Sequence, residues 1–416
     1  MFFAPRSLPR NAKALSCVAV SAVLLSACVT PPPPQQQPAP LPQPIPQPIP
    51  QPAPQPAPQP EPAQPPLPPS KTAFVPGTFA DLPGWSRDDL RAAWPAFQSS
   101  CGVIGKRADW KEACSIARTV NASDERAVRL FFETFLVPHR VIAPDGSDSG
   151  LVTGYYEPLL RGARKQGGPY QTPLYKVPDD MLTIDLTGVY PELKGKRLRG
   201  RLQGRKVVPY ASRQEIARAD FSGKELLWVD DPVEAFFLEV QGSGRVQLDS
   251  GETVRVAYAD QNGHPYKSIG KWLIEQGELT SEQASAQGIK AWIAGHPTRR
   301  QELLNVNPSY VFFREEKLPD PNVGPKGSLG VPLTPQRSVA VDTTQIPSGV
   351  PLYLSTTQAA SEIPLQRLVM AQDTGGAIRG AIRVDFFFGF GTEAAENAGR
   401  MKQRGQVWVL LPRPTR

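Results

Sequence analysis

The chain has 416 residues, 40% of them hydrophobic, which is enough for two or three domains with packed cores. Its formal net charge is +7, and three of the basic residues lie in a leader that we expect to be removed, which leaves 7 − 3 = +4. A surplus this small does not indicate a nucleic-acid partner.

The first 28 residues have the pattern of an exported lipoprotein. Basic residues precede the apolar run ALSCVAVSAVLLSAC, which is too short to span a membrane. The run ends in LSAC, a sequence similar to the bacterial lipobox, so we expect a signal peptide over 1–27 and acylation of Cys28. Several acyl chains give stable anchoring, and Val29 in place of aspartate favours the outer membrane, facing the periplasm. An ordinary secretory signal with a chance cysteine is the alternative.

A proline-rich segment follows the leader. Residues 31–69 contain 21 of the chain's 48 prolines, separated mainly by glutamine and alanine, and cannot bury a core. Polyproline II geometry gives this segment a reach of up to about 120 Å. We therefore expect residues 28–74 to be a semi-rigid tether; a proline-binding partner is the less favoured interpretation.

Two cysteines remain once the leader is removed and Cys28 is acylated. Cys101 and Cys114 are thirteen residues apart, and in an oxidising compartment this favours a disulfide. The three histidines are isolated from one another and from cysteine, so no metal-ligand spacing exists. We expect no metal and no cofactor.

Three helices are predicted after about residue 78, where the sequence becomes globular. The first lies in TVNASDERAVRLFFETFLVP, with Ser123 as its cap and Pro138 beyond its end. The second begins at Ser268 and runs through KSIGKWLIEQG. The third begins at Thr298, whose spacing to Gln301 predicts a capping box.

Strands are predicted between and after these helices, from short apolar runs punctuated by Gly, Pro, Asn and Asp. The clearest are LWVDDPVEAFFLEVQGSGRVQL, residues 227–248, and VAVDTTQIPSGVPLYL, residues 339–354. Residues 194–206 carry seven basic side chains, which form either a solvated face or a surface for a polyanion such as a cell-wall polymer with peptide carboxylates. The pattern favours β-rich barrels with a few helices.

Three aspartates are candidates for the chemistry. Asp342 and Asp373 end predicted strands beside glycine turns, which is typical of structural aspartates that bind backbone N–H groups. Asp385 lies inside the strand AIRVDFFFG, where alternation directs Arg383, Asp385 and Phe387 away from the core face, towards a cleft or solvent. The triplet Asp373-Thr374-Gly375 also resembles the aspartic protease signature, which requires two such triplets. The other candidate, Asp342-Thr343-Thr344, lacks the glycine, so a protease would have to dimerise.

Seven motifs appear in the order typical of the membrane-bound lytic murein transglycosylase A family. They are GYYEP, VPYASRQEI, AFFLEVQGSGRV, NGHPYKSIG, NPSYVFFRE, PLTPQRSVAVD and DTGGAIRGAIRVDFFFGFG, and the resemblance covers residues 75–413. It implies a mostly β fold with a few helices. The main domain would be a double-psi β-barrel built from residues 75–163 and 305–413. A second β-barrel domain, residues 164–304, would be inserted between these segments, with the glycan strand in the groove between the domains.

The resemblance also implies the reaction. The β-1,4 bond between N-acetylmuramic acid and N-acetylglucosamine would be cleaved without water, because the C6 hydroxyl closes onto C1 and leaves a 1,6-anhydromuramic end. The single catalytic acid of the family falls on Asp385, with Asp373 and Asp342 as supporting residues. Such an acid needs a raised pKa, which apolar walls and Asp373 would favour and Arg383 would oppose.

Five residues are candidates for substrate contact through aromatic stacking or hydrogen bonds: Thr153, Tyr155, Tyr156, Gln241 and Ser243. The alternative is that the tyrosines are half-buried packing and that QGSG is a simple hairpin. Two other functions stay open, a muramidase of the same barrel type that uses water and a non-catalytic murein-binding lipoprotein. The expected partners are peptidoglycan glycan strands and, through the lipid anchor only, a membrane; we expect no nucleic acid and a monomer.

Overall fold

The computed structural model describes residues 71–193, 196 and 198–414. The predicted signal peptide, Cys28 and nearly all of the tether lie outside these residues, as do three positions of the basic run, 194, 195 and 197. The described part is mostly β-structure with some helices, which confirms the predicted fold class at this level.

The strands of the described part are, in chain order, β1 (Ala73–Pro76), β2 (Leu136–Ile142), β3 (Gly150–Glu157), β4 (Leu159–Ala163), β5 (Thr172–Tyr175), β6 (Leu182–Thr183), β7 (Arg199–Gln203), β8 (Lys206–Pro209), β9 (Glu225–Val229), β10 (Ser243–Leu248), β11 (Thr253–Gln261), β12 (Val311–Glu316), β13 (Ser338–Val341), β14 (Pro351–Thr357), β15 (Pro364–Asp373), β16 (Val384–Phe390) and β17 (Lys402–Pro412).

The α-helices are α1 (Trp94–Ile104), α2 (Lys111–Ala117), α3 (Glu125–Phe135), α4 (Arg213–Ile216), α5 (Pro232–Gln241), α6 (Ile269–Glu275), α7 (Ala286–Gly295), α8 (Arg300–Asn305) and α9 (Thr392–Arg400). Within the residues that the structure describes, no helix is long and apolar enough to cross a membrane.

The largest sheet joins strands from both ends of the described chain. Its eight strands have the order β1-β2-β17-β14-β15-β13-β16-β3. The long strand β17 pairs with β2 and β14 through its second half and with β3 through residues 402–405. Because β3 pairs in parallel with β16, the early segment that carries Thr153 lies beside the late segment that carries Asp385.

Two further sheets come from the middle of the chain. A six-stranded sheet has the order β12-β11-β10-β4-β9-β5, and a three-stranded sheet has the order β6-β7-β8. The strand pair β7–β8 contains the described part of the basic run that follows residue 198. This pair is therefore a hairpin of a small sheet, and its residues 201–206 are exposed.

The large sheet is covered by the first helices, whose rings form an aromatic cluster. Trp94 and Phe97 of α1 pack against Phe131 and Phe132 of α3, with ring centroids 5.1–5.5 Å apart. All four side chains are buried. Nearby, α1 and α2 are joined by a disulfide between Cys101 and Cys114, whose Cα atoms are 5.3 Å apart.

Two of the predicted helices are confirmed, one with a different cap. Ser268 caps α6 by accepting a hydrogen bond from the Lys271 N–H at 3.2 Å. The helix in TVNASDERAVRLFFETFLVP is α3, but its cap is Asp124 and not Ser123. The Asp124 carboxylate accepts from two N–H groups of the first turn, and an aspartate there also interacts favourably with the helix dipole.

The third predicted helix has no capping box. A 3₁₀ turn over Pro297–Arg299 precedes α8, which begins at Arg300, two residues later than predicted. The Gln301 side chain donates along the helix to Asn305 and does not reach back to Thr298.

The strand predicted over residues 227–248 is wrong in its middle. It divides into β9, the helix α5 and β10. Asp231 caps α5, Pro232 occupies its first turn, and Gly242 ends it in the left-handed conformation with φ of 83°. The helix is buried on most sides, so its apolar run lacks the polar face that would have identified it as a helix. In contrast, the strands predicted over 339–354 are confirmed as β13 and the start of β14.

Candidate active site

Four residues form one row across the large sheet. The register pairs Ala340 of β13 with Asp373 of β15 on one side and with Asp385 of β16 on the other. Asp385 is in turn paired with Thr153 of β3. Directly opposite residues project on the same face of a sheet, so Asp373, Asp385 and Thr153 face the same region, with only the small side chain of Ala340 between the two carboxylates.

Asp385 is half-buried and has one close polar partner. The Thr153 hydroxyl donates a hydrogen bond to Asp385 Oδ1 at 2.5 Å. Burial raises the pKa of Asp385, and the charge of Asp373 adds to this increase, whereas the Thr153 hydrogen bond and the Arg383 charge oppose it; the pKa is raised overall. A carboxyl group that keeps its proton at higher pH can act as a general acid.

Asp373 is tied into the structure by three donors. Asp373 Oδ1 accepts from the N–H groups of Ser328 and Thr374, each at 2.9 Å, and Oδ2 accepts from the Tyr155 hydroxyl at 3.1 Å. Burial raises the pKa of Asp373 despite these hydrogen bonds. This carboxylate is therefore fixed in place by its hydrogen bonds, and it acts on Asp385 through its charge.

Asp342 supports the loop that connects β15 to β16. It is 4% exposed, and its carboxylate accepts from the Thr344 N–H and hydroxyl and, at 2.9 Å, from the Gly380 N–H. Burial alone would raise the pKa of Asp342, but these hydrogen bonds lower it below its usual value. Asp342 thus has the turn-capping environment that the sequence predicted for it.

The two tyrosines of the GYYEP motif differ in their environment. Tyr155 is 8% exposed, and its ring packs on Phe387 with centroids 5.1 Å apart, so it presents no free face for the expected stacking on a sugar. It contacts the site through its hydroxyl, which binds Asp373. Tyr156 is half-buried, and burial raises its pKa to about 12, with a smaller contribution from the charge of Glu234.

Gln241 and Ser243 lie where the second sheet meets β3. Gln241 is the last residue of α5, and its Oε1 accepts from the Tyr156 N–H at 3.0 Å. Ser243 is the first residue of β10 and is half-buried. QGSG is therefore the junction between a helix and a strand, and not the hairpin turn that the sequence analysis considered.

The phenylalanines after Asp385 alternate between the two faces of β16 as predicted, but the face expected to line a cleft is buried at Phe387. Phe386 is fully buried in the main core, but Phe387 is fully buried too, on the opposite face. Tyr155 and three aliphatic side chains cover Phe387, and so this ring does not line an open cleft. Gly154 allows the close approach of Phe388, because a Cβ at this position would lie 2.5 Å from the Phe388 ring.

A buried group of charges connects the two main sheets next to the site. Glu157, at the end of β3, is 1% exposed and binds Arg245 at 2.9 Å and Arg255 at 2.6 Å, both from the six-stranded sheet. The guanidinium of Arg245 also lies 4.1 Å from the centroid of the Phe390 ring. These contacts fix β10 and β11 against the ends of β3 and β16.

Neither this charge group nor the loop that binds Asp373 was predicted from the sequence. Ser328 belongs to the segment GPKGSLG, to which no role was assigned. Gly327 lets this loop approach β15, since a Cβ there would lie 2.5 Å from the Gln372 carbonyl oxygen. The glycines of this segment could have indicated a close backbone approach. The charged Glu157 at the end of the predicted strand in GYYEP could have indicated a buried ion pair.

Two family models match this chain. The MltA specific insert domain matches residues 151–314, and the 3D domain matches residues 337–411. Among curated proteins, the chain is 35% identical over 271 residues to the membrane-bound lytic murein transglycosylase A of Escherichia coli K12. The match covers 63% of this chain and 66% of that relative, just under two thirds of its length.

Solved structures of related proteins have the same fold. The crystal structure of MltA from Neisseria gonorrhoeae, monoclinic form, matches with a TM-score of 0.71 and 35% identity, covering 84% of this chain and 99% of that one. The crystal structure of E. coli MltA with bound chitohexaose matches with a TM-score of 0.64 and 27% identity, covering 84% of this chain and 96% of that one.

Proposed function

The chain belongs to the family of membrane-bound lytic murein transglycosylase A, and from this premise we propose that it is a peptidoglycan lytic transglycosylase with Asp385 as its single general acid and base. The substrate bond is the β-1,4 linkage between N-acetylmuramic acid and N-acetylglucosamine. The observation that carries the assignment of Asp385 is its environment: a half-buried carboxyl group with a raised pKa, bound by a single hydroxyl in a row across the sheet.

In this mechanism, Asp385 starts protonated and donates its proton to the leaving glycosidic oxygen. The resulting carboxylate then accepts the proton of the C6 hydroxyl of the muramic sugar as that oxygen closes onto C1. The bond to the leaving sugar breaks, the bond from O6 to C1 forms, and Asp385 returns to its initial state. The nucleophile is part of the substrate, so its proximity to C1 contributes to the rate.

The hydrogen bonds of Asp373 favour one working carboxyl group over two. A glycosidase that uses water needs a second carboxylate as base or nucleophile. Asp373 is the nearest candidate in the row, but its two oxygens accept from Ser328, Thr374 and Tyr155. It therefore serves as a fixed negative charge that supports the raised pKa of Asp385.

We further propose the domain organisation expected from the sequence. The main domain is a double-psi β-barrel from residues 75–163 and 305–413, and the pairing of β17 with both β14 and β3 supports a closed arrangement. The inserted domain, residues 164–304, is a smaller β-barrel that contributes the second side of a groove. A glycan strand lies in this groove, an assignment supported by the chitohexaose complex of the related E. coli protein.

The location that we propose is the periplasmic face of the outer membrane. The signal peptide 1–27 would be removed, Cys28 acylated, and the remaining tether to residue 74 would let a monomeric catalytic body reach the wall. Relatives named membrane-bound support this assignment.

The test is muropeptide analysis of purified peptidoglycan treated with wild type and Asp385→Asn. We expect wild type to release 1,6-anhydro products and the variant to lose at least about 10²-fold in rate. Asp145→Asn is the matched control, because this aspartate is exposed on a turn, where it accepts hydrogen bonds from Ser147, and the variant should retain full activity. Products heavier by one water would instead indicate a muramidase, and binding without release would indicate a non-catalytic wall protein.

A further inference from the structure

A polar cavity lies away from Asp385, at the end of β15 opposite to Asp373. Its volume is about 610 Å³, and its lining includes Arg87, Gln336, Arg337, Gln366 and Arg367. Arg367 and Asp373 are six residues apart on β15, which corresponds to about 20 Å along the strand. The volume lies within the range of small-ligand sites, and the proposed reaction does not use this cavity.

The carboxylates at this cavity are already paired. Asp88 accepts two hydrogen bonds from Arg337, at 3.0 and 2.8 Å, and a third from the Leu368 N–H at 2.7 Å. Asp89 is paired with Arg91 at 2.9 Å. Neither carboxylate is left to neutralise the remaining two arginines of the lining.

Those two arginines have only neutral partners among the described residues. Arg87 donates to Oε1 of Gln366 at 3.2 Å, and Arg367 donates to Oε1 of Gln336. Burial and the nearby charge of Arg337 lower the pKa of Arg367, with partial compensation by Asp88. A guanidinium pairs far better with an anion than with an amide oxygen, so the cavity contains two donors without a charged acceptor.

The backbone of Gln336 has a conformation that residues other than glycine rarely adopt. Its φ is 59°, in the left-handed region, and its N–H donates to the Phe387 carbonyl at 2.7 Å. Such a conformation is strained and is found preferentially at functional sites. It places the Gln336 amide at the Arg367 guanidinium, where an incoming anion would displace it.

We propose that this cavity binds the terminal carboxylate of a peptidoglycan stem peptide through Arg87 and Arg367. The choice of ligand rests on the proposed function, because the substrate polymer is then the carboxylate source at highest local concentration. An extended tetrapeptide spans at most about 13–14 Å, less than the distance along β15. The geometry therefore favours a stem peptide carried elsewhere in the wall over the peptide on the sugar at Asp385.

The direct test is titration of the full chain with D-alanyl-D-alanine and with its C-terminal amide. We expect the acid to bind and the amide to bind at least about tenfold more weakly, because a hydrogen-bonded charge pair is lost. Arg367→Gln and, independently, the exposed Arg87→Gln should each weaken binding of the acid to a similar degree. Arg118→Gln removes the same charge at an exposed position that does not line the cavity, where the guanidinium donates to the neutral Ser115 hydroxyl, and should bind like wild type.

A second measurement separates this proposal from the proposed function. Arg367→Gln should cleave a short peptide-free glycan as fast as wild type but require a higher concentration of intact peptidoglycan for half-maximal rate. The proposal would be overturned if the acid and the amide bound with equal affinity. It would also be overturned if inorganic phosphate bound to the cavity as tightly as the acid does. If wild type forms no anhydro products, the proposed lytic function is wrong. The titration still decides whether the cavity binds a peptide carboxylate.

Discussion

The hydroxyl of Thr153 donates to the carboxylate of Asp385 at 2.5 Å, although 232 residues separate them in the chain. This hydrogen bond stabilises the charged form of Asp385 and so lowers the pKa that burial raises. Thr153→Val keeps the shape of the side chain and removes the donor. Loss of this donor should therefore raise the pKa of Asp385 further.

We therefore expect the alkaline limb of the rate profile to move to higher pH in Thr153→Val. The measurement is the rate of anhydro-product formation on a peptide-free glycan across the pH range. An unchanged limb would show that this hydroxyl does not set the protonation of Asp385.

Arg383 acts in the same direction as Thr153 but through its charge. Burial lowers the pKa of the Arg383 guanidinium, and its positive charge lowers the pKa of Asp385. Arg383→Met should also move the alkaline limb upward, but by less than Thr153→Val, because the site is partly open to solvent. Arg379→Met is the control, since Arg379 is exposed and lies 3.8 Å from Asp342; a shift of equal size there would contradict a local effect of Arg383.

The two aspartates with opposite pKa shifts should have opposite effects on stability. The folded-state pKa of Asp385 is raised, so its contribution is fully present below the unfolded value, near ~3.9, and is lost as pH rises through the folded pKa. Asp385→Asn should therefore be more stable than wild type at neutral pH, and this difference should vanish towards about pH 4.

Asp342 should give the reverse pattern, because its folded-state pKa is lowered. Its contribution is present above the unfolded pKa and is lost as pH falls through the folded pKa. Asp342→Asn should be less stable than wild type at neutral pH, with a smaller difference in acid. Urea denaturation of both variants at several pH values measures this, and the same sign for both would refute the assignment of their environments.

The buried charge group at Glu157 should be essential for stability. Glu157→Gln removes the partner of Arg245 and Arg255 and leaves two buried cations without a counter-charge. We expect a loss of about 3–5 kcal/mol in the free energy of unfolding. Asp148→Asn, which breaks an exposed pair with Arg140, should cost less than about 1 kcal/mol under the same denaturation assay.

The disulfide between Cys101 and Cys114 should stabilise the helices that pack on the large sheet. Replacing both cysteines by serine should lower the free energy of unfolding by about 2–4 kcal/mol. Reducing agent should lower the stability of wild type to that of the double variant. If it also lowers the stability of the double variant, the effect comes from another source.

Local patterns in the sequence identified the elements with strong boundary signals. Ser268 and its helix α6 are one case, and the two strands around Asp342 are another. Strand alternation placed Asp385 on the face away from the main core, where the structure has it beside Thr153. Phe387 lies on the same face as predicted but is not open to a cleft, because that face of β16 has a small core of its own that includes Tyr155.

Features that depend on distant pairings could not be read from the sequence. The row from Asp373 through Ala340 and Asp385 to Thr153 requires the register of four strands, which no local period encodes. The helix α5 was predicted as a strand because it is apolar on most sides, and a short buried helix and a buried strand have similar composition.

The parallel pairing of β3 with β16 has a consequence for synthesis of the protein. A ribosome makes Thr153 long before it reaches Asp385, because β16 begins only at Val384. An unfinished polypeptide, or a fragment truncated before that strand, therefore lacks the proposed acid. The proposed acid and its hydroxyl partner can therefore meet only after β16 has been synthesised.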